Sequence, residues 1–199
     1  MLITVEGLDG AGKTTLITAL ARKLKATVLR EPGGVELSER IRELVADPGL
    51  HVDPRAEALL YAAARAQLVA EKLQPLLDAG ETVLLDRFVD SSLAYQGGGR
   101  ELGVEEIRAL NAFGTGGLTP DRTLLLRIDP AVGRARIADR DADRLEQAGE
   151  AFFAAVAAAY DELAAAEPER IAVIEADRPP DRVLADALAA LEPLLSSAA

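Results

Sequence analysis

The sequence predicts an α/β fold of three layers: a five-stranded parallel sheet with helices on both faces. Three observations carry this expectation. Five short apolar runs, at 2–6, 26–30, 82–86, 123–128 and 171–175, have strand length and composition. Helical patterns separate them, at 13–24, 35–46, 54–78, 104–113, 131–139, 147–166 and 180–195, and such alternation implies parallel strands joined by crossover helices. Chemistry-bearing residues also follow directly after the first three runs, and ligands of parallel sheets sit beyond the carboxyl ends of the strands.

The first run, Leu2-Ile3-Thr4-Val5-Glu6, breaks into Gly7-Leu8-Asp9-Gly10-Ala11-Gly12-Lys13-Thr14-Thr15. This is Gly-x-x-x-x-Gly-Lys-Ser/Thr between a strand and a helix, the setting of a phosphate-binding loop. Its glycines let the main chain approach a ligand closely, and the helix N-terminus adds partial positive charge there. Lys13 is placed to reach the β- and γ-phosphates, and the Thr14 hydroxyl to ligate Mg²⁺. The chain is therefore expected to bind a nucleoside triphosphate through residues 7–15.

The second run leads into Arg30-Glu31-Pro32-Gly33-Gly34, whose glycines are sufficiently explained as a turn. In the helical stretch 54–78, Tyr61 and Arg65 share a face, with Gln67 nearby. A tyrosine and a guanidinium side by side can hold a flat base. By pattern alone, a core tyrosine beside a solvated arginine fits better. The third run ends in Asp86-Arg87-Phe88. A carboxylate ending a buried strand beside a phosphate loop suits Mg²⁺, and the adjacent arginine offers a fork for a second phosphate. A plain strand-end ion pair is the alternative, and the neighbouring loop favours the functional reading.

Ser91-Ser92-Leu93-Ala94-Tyr95-Gln96-Gly97-Gly98-Gly99-Arg100 combines base- or sugar-reading groups with what reads as a flexible glycine hinge. The stretch 134–146 mixes arginines and acids with few apolar residues, and is expected to be an exposed, mobile lid over phosphates at about 134–147. Helix 147–166, rich in alanine with Phe152, Phe153 and Tyr160, and the C-terminal helix read as structural, and His51 has no assigned role.

The 199 residues, 49% hydrophobic, suit a single domain over 1–199 with a full core and a fraying Ser196-Ser197-Ala198-Ala199. A net charge of −11 argues against nucleic acid as a partner, although local arginines can still hold a small phosphorylated substrate. No apolar run is long enough to cross a membrane and no signal-peptide layout opens the chain. The absence of cysteine fits a cytoplasmic location.

Taken together, the phosphate loop, Arg30-Glu31-Pro32-Gly33-Gly34, Asp86-Arg87-Phe88, the 91–100 block and Asp143-Arg144-Leu145-Glu146 resemble the bacterial thymidylate kinase family, in the family's order and over nearly the whole chain. The resemblance implies ATP-dependent phosphorylation of dTMP to dTDP with Mg²⁺ as cofactor, and a homodimer. It implies that Lys13 and the loop amides hold the ATP phosphates and that Thr14 and Asp86 serve the metal. Asp9 would meet the sugar 3′-hydroxyl and Arg87, helped by Arg42, the dTMP phosphate. Tyr61 would stack on thymine, Arg65 would bond its O4, and Ser92 and Gln96 would lie near the base. Tyr95 would collide with a 2′-hydroxyl. This reverses the preference stated for Tyr61 and Arg65 from the residues alone. Some members carry an arginine in the phosphate loop; this chain has Gly10 there, which leaves the positive charge to the lid, with Arg140 and Arg144 as candidates beside Lys13, Asp9 and Arg87. The rivals are a P-loop kinase for another nucleoside monophosphate and a GTP-dependent switch, whose Asn-Lys-x-Asp stretch is absent here.

Overall fold

The computed structural model describes residues 1–139 and 143–197. Five parallel strands, β1 (Leu2–Gly7), β2 (Thr27–Arg30), β3 (Val83–Asp86), β4 (Arg122–Arg127) and β5 (Ile171–Glu175), lie in the order β2-β3-β1-β4-β5. Helices α1 (Lys13–Leu24), α2 (Glu36–Ala46) and α3 (Pro54–Leu68) follow in the first half. Helix α3 continues through a π-helical turn, Val69–Leu73, into α4 (Gln74–Asp78), so the predicted 54–78 helix is one continuous rod. The rest comprises α5 (Val89–Ser92), α6 (Val104–Thr115), α7 (Pro130–Arg136), α8 (Glu150–Ala166) and α9 (Pro180–Ser197).

Every residue of β1 is buried, because it runs between β3 and β4 with helices on both faces. Its polar side chains must therefore find partners. The Thr4 and Thr123 hydroxyls meet at 2.8 Å, and Glu6 is held as described below. Along β3 the side chains alternate: Val83 and Leu85 join Leu68, Val69 and Leu73 on one side, and Leu84 joins Leu16, Ile17 and Leu20 on the other. The parallel register places Val5 opposite Asp86 and Arg30 opposite Asp86, so the carboxyl ends of β2, β3 and β1 stand side by side.

The expected hinge at 91–100 is corrected by the structure. Residues 89–99 are helical, α5 running into a π-helical stretch at Leu93–Gly99, and Asp90 through Gly97 are buried. The glycines serve close packing. A Cβ on Gly98 would lie 2.6 Å from the Ala159 Cβ, and one on Gly99 would lie 2.6 Å from the Phe152 ring. The alanine-rich face of α8 thus accepts a backbone without side chains, an arrangement that a local reading of three glycines does not reveal.

Candidate active site

The phosphate loop joins β1 to α1 and is pinned from outside. Gly10 has φ +79° and sits against α7 so closely that a Cβ would lie 2.1 Å from the Gly133 carbonyl oxygen. Gly133 in turn faces the Asp9 carbonyl, where a Cβ would lie 2.7 Å away. This contact is the physical reason an arginine has no room in the loop of this chain. Lys13 Nζ donates to the Gly7 and Leu8 carbonyls at 3.2 and 3.0 Å and lies 3.7 Å from Asp9 Oδ1. Burial, and then the nearby Arg87 charge, lower its pKa to about 8 against the pull of Asp9, Asp86 and Glu6.

Arg87 follows β3 with φ +66°, a left-handed conformation that turns the chain sharply at the sheet edge. Its guanidinium donates to the Gly7 carbonyl (3.0 Å), Ser91 Oγ (3.1 Å), Asp9 Oδ1 (2.7 Å) and the Tyr95 hydroxyl (3.3 Å). Below it, the fully buried Glu6 accepts from the Phe88 amide (2.7 Å), Ser91 (2.5 Å) and the Tyr160 hydroxyl (2.9 Å). Burial raises the Glu6 pKa to about 7, with Asp90 adding to the rise. Glu6 therefore braces the segment that carries Arg87 and Ser91 beneath the phosphate loop, a role the sequence reading did not assign.

Arg65 is buried rather than solvated, the opposite of the pattern-only reading. It donates to Glu31 Oε2 (2.6 Å), Ser92 Oγ (3.0 Å), the Phe88 carbonyl (2.9 Å) and Asn111 Oδ1. These bonds use four of its five N–H groups and leave one on Nη2, among the described residues. Glu31, at the end of β2, has its pKa raised to about 7 by burial, against the pull of Arg65. It was missed because the signal lay in the turn residues beside it.

One open cleft gathers the remaining candidates. Asp9, Arg42, Tyr61, Arg65, Arg87, Ser92, Tyr95 and Gln96 all line it. Tyr61 and Tyr95 supply aromatic walls, and Tyr95 is fixed by edge contacts with Phe152 and Tyr160. Arg42 stands at the rim, 3.2 Å from the Pro32 carbonyl.

The lid candidates divide. Arg140 lies outside the described residues. Arg144 is part-buried, and its contacts are with α2 and α3 rather than with loop 7–15: Nε donates to the Val45 carbonyl (2.9 Å) and Nη2 to Glu57 (2.6 Å). Its main-chain N–H reaches the Ala46 carbonyl at 3.2 Å. The expectation of an exposed segment thus fails at 143–146, which is half-buried and docks on α2 and α3. Arg134 pairs with Glu150, and Arg136 with Asp177.

For a divalent metal the structure offers one pointer. Asp86 Oδ1 is buried and has no hydrogen-bond partner, a costly state unless something meets it. No group of three or more acidic, histidine or cysteine side chains forms a metal cage among the described residues. A single carboxylate with a threonine hydroxyl suits Mg²⁺, which is commonly held by few protein ligands together with phosphates and water.

A parallel sheet, a strand–loop–helix phosphate cradle and an adjoining cleft lined by Arg42, Arg65 and Arg87 define a P-loop phosphotransferase. The thymidylate kinase family model matches residues 5–187. The thymidylate kinase of Deinococcus radiodurans is 51% identical over 197 residues, covering 96% of both chains. That of Halalkalibacterium halodurans is 46% identical over 203 residues, covering 98% of this chain and 97% of its own. The crystal structure of thymidylate kinase from Ehrlichia chaffeensis superposes with a TM-score of 0.80 at 29% identity, covering 96% and 98% of the two chains. The chain belongs to the thymidylate kinase family.

Proposed function

We propose that this chain phosphorylates dTMP to dTDP with ATP, as one P-loop domain over 1–199 carrying a lid at about 134–147. The carrying observation is that the eight acceptor-side candidates line one cleft, which meets the phosphate loop at Asp9 and Arg87. In the proposed assignment, loop amides 7–15 and Lys13 bind the ATP phosphates. Arg87, with Arg42 at the rim, binds the acceptor phosphate, and Asp9 lies between the two. Tyr61, Arg65, Ser92 and Gln96 hold the base, and Tyr95 closes the sugar side. A second cavity between Gly10, Thr15, Arg136 and Arg178 offers space for adenosine.

The attacking atom is already an anionic phosphate oxygen, so no general base is required. Two anions must instead be brought into line, and Lys13 and Arg87 offset their repulsion. Thr14 and Asp86 would hold Mg²⁺, which supplies charge neutralisation at the β- and γ-phosphates. Arg140 would add positive charge when the lid closes, and Arg144 would do so only on leaving Glu57 and the Val45 carbonyl.

The same reading includes a homodimer. Helices α2, α3 and α6 pack side by side, and they expose Leu37, Leu44, Leu59 and Phe113, the last 91% exposed. A second copy burying this apolar strip is the proposed occupant. No helix among the described residues is long and apolar enough to cross a membrane; a cytoplasmic location is part of the proposal. The test is a panel of acceptors, dTMP, dUMP, UMP, CMP, AMP and GMP, assayed side by side. The reading predicts preference for dTMP, and preference for a purine monophosphate contradicts it.

A further inference from the structure

Glu57 is fully buried on α3, four residues before Tyr61, and lies outside the roles assigned so far. Four donors converge on it. Gln96 Nε2 (3.0 Å) and Arg100 Nε (3.3 Å) meet Oε1, and Arg100 Nη2 (3.1 Å) and Arg144 Nη2 (2.6 Å) meet Oε2. An ionised carboxylate only accepts hydrogen bonds, and these four occupy its lone-pair positions. The consequence falls on Gln96. Its amide has to present nitrogen to Glu57, since the opposite orientation would set two oxygens against each other. Its Oε1 is then the group left for the cleft that Gln96 lines, and it has no hydrogen-bond partner among the described residues. Beside it, Arg65 keeps one N–H on Nη2, and Ser92 keeps its own O–H after accepting from Arg65.

We propose that Glu57 is a specificity-determining positioning residue: by fixing the Gln96 amide, it makes the cleft present an acceptor beside the Arg65 donor. This rests on the cleft being the acceptor site. A pyrimidine edge with a carbonyl next to a ring N–H, as in thymine or uracil, satisfies both groups. The cytosine edge offers an amino donor next to a bare ring nitrogen, which sets donor against donor and acceptor against acceptor. A buried site of this kind discriminates strongly because mismatched groups are left unpaired. The same carboxylate holds Arg144, so docking of the 143–146 segment and reading of the base share one anchor.

The test is kcat/KM for dTMP, dUMP and dCMP with wild type, Glu57→Gln, Gln96→Ala and the double variant. A glutamine at 57 offers either oxygen or nitrogen, so the Gln96 amide is free to turn over. The dTMP:dCMP ratio is expected to fall about tenfold or more in Glu57→Gln, while dTMP:dUMP, which shares the read edge, stays within about twofold. Gln96→Ala is expected to lower the dTMP:dCMP ratio similarly, and adding Glu57→Gln to it to change the ratio no further. An equal loss on all three acceptors in folded Glu57→Gln overturns the proposal. Should Glu57→Gln not fold, an unchanged ratio in Gln96→Ala overturns it alone. Failure of wild type to phosphorylate dTMP sinks the site assignment instead, so the two failures are distinguishable.

Discussion

Arg87 Nη2 lies 2.7 Å from Asp9 Oδ1, and this ion pair ties the end of β3 to the middle of the phosphate loop. The residue proposed to grip the acceptor phosphate is thereby held beside the cradle proposed for the donor. Positioning at this junction is the main service a phosphotransferase provides.

Removing that guanidinium leaves two anions facing each other with less compensation. Arg87→Ala is expected to lower kcat/KM for dTMP by at least ~10²-fold, as does Lys13→Ala on the donor side, comparable to deleting one transition-state donor. Steady-state kinetics on variants with wild-type melting curves checks this, and near-normal turnover by either variant contradicts its assigned role.

Asp86 Oδ1, buried and unpartnered, makes a separate prediction. Asp86→Asn is expected to raise the Mg²⁺ concentration needed for half-maximal rate by about tenfold or more, because an amide is a poorer ligand for a hard cation. A Mg²⁺ titration at saturating nucleotide reads the shift, and an unchanged requirement removes Asp86 from the metal assignment.

The pH dependence of stability has a definite sign. Glu6 and Glu31 have pKa values raised to about 7 in the folded chain, chiefly by burial, against an ordinary value of 4.5. Between those values the folded state binds more protons than the unfolded one, so their contribution is full below about 4.5 and is lost as pH rises through about 7. Unfolding free energy is expected to fall between pH 5 and pH 8 by an amount on the order of 1–3 kcal/mol, and Glu6→Gln is expected to flatten the decline. Urea titrations at several pH values measure it. A stability that rises across this window contradicts the assignment.

The exposed strip on α2, α3 and α6 predicts that Phe113→Asp shifts a dimer to monomer without lowering the helix content. Sedimentation of the two proteins at matched concentration decides it, and a monomeric wild type removes the homodimer from the account.

Much of this was legible in the chain. The five strands and the phosphate loop carry local signals, namely apolar runs and a fixed glycine–lysine spacing. Asp86 and Arg87 follow from where strand ends must lie in a parallel sheet. What stayed hidden depends on contacts made from afar. Arg65 looks solvated on its own helix, yet Glu31 from β2 and Asn111 from α6 supply the partners that allow its burial. Gly97, Gly98 and Gly99 read as a hinge because nothing nearby reveals the small face of α8 against them. Glu57 sits one turn before Tyr61 and two before Arg65, so its face could be read. Its saturation by Gln96, Arg100 and Arg144 could not, because those partners come from two distant segments.

The central claim is that a phosphoryl group passes from ATP in the loop to dTMP in the cleft. Incubation of the protein with dTMP, Mg²⁺ and ATP labelled in its γ-phosphate, followed by separation of the products, tests this most directly. The account predicts label in the β-phosphate of dTDP. Label released solely as inorganic phosphate, with no dTDP formed, would contradict it.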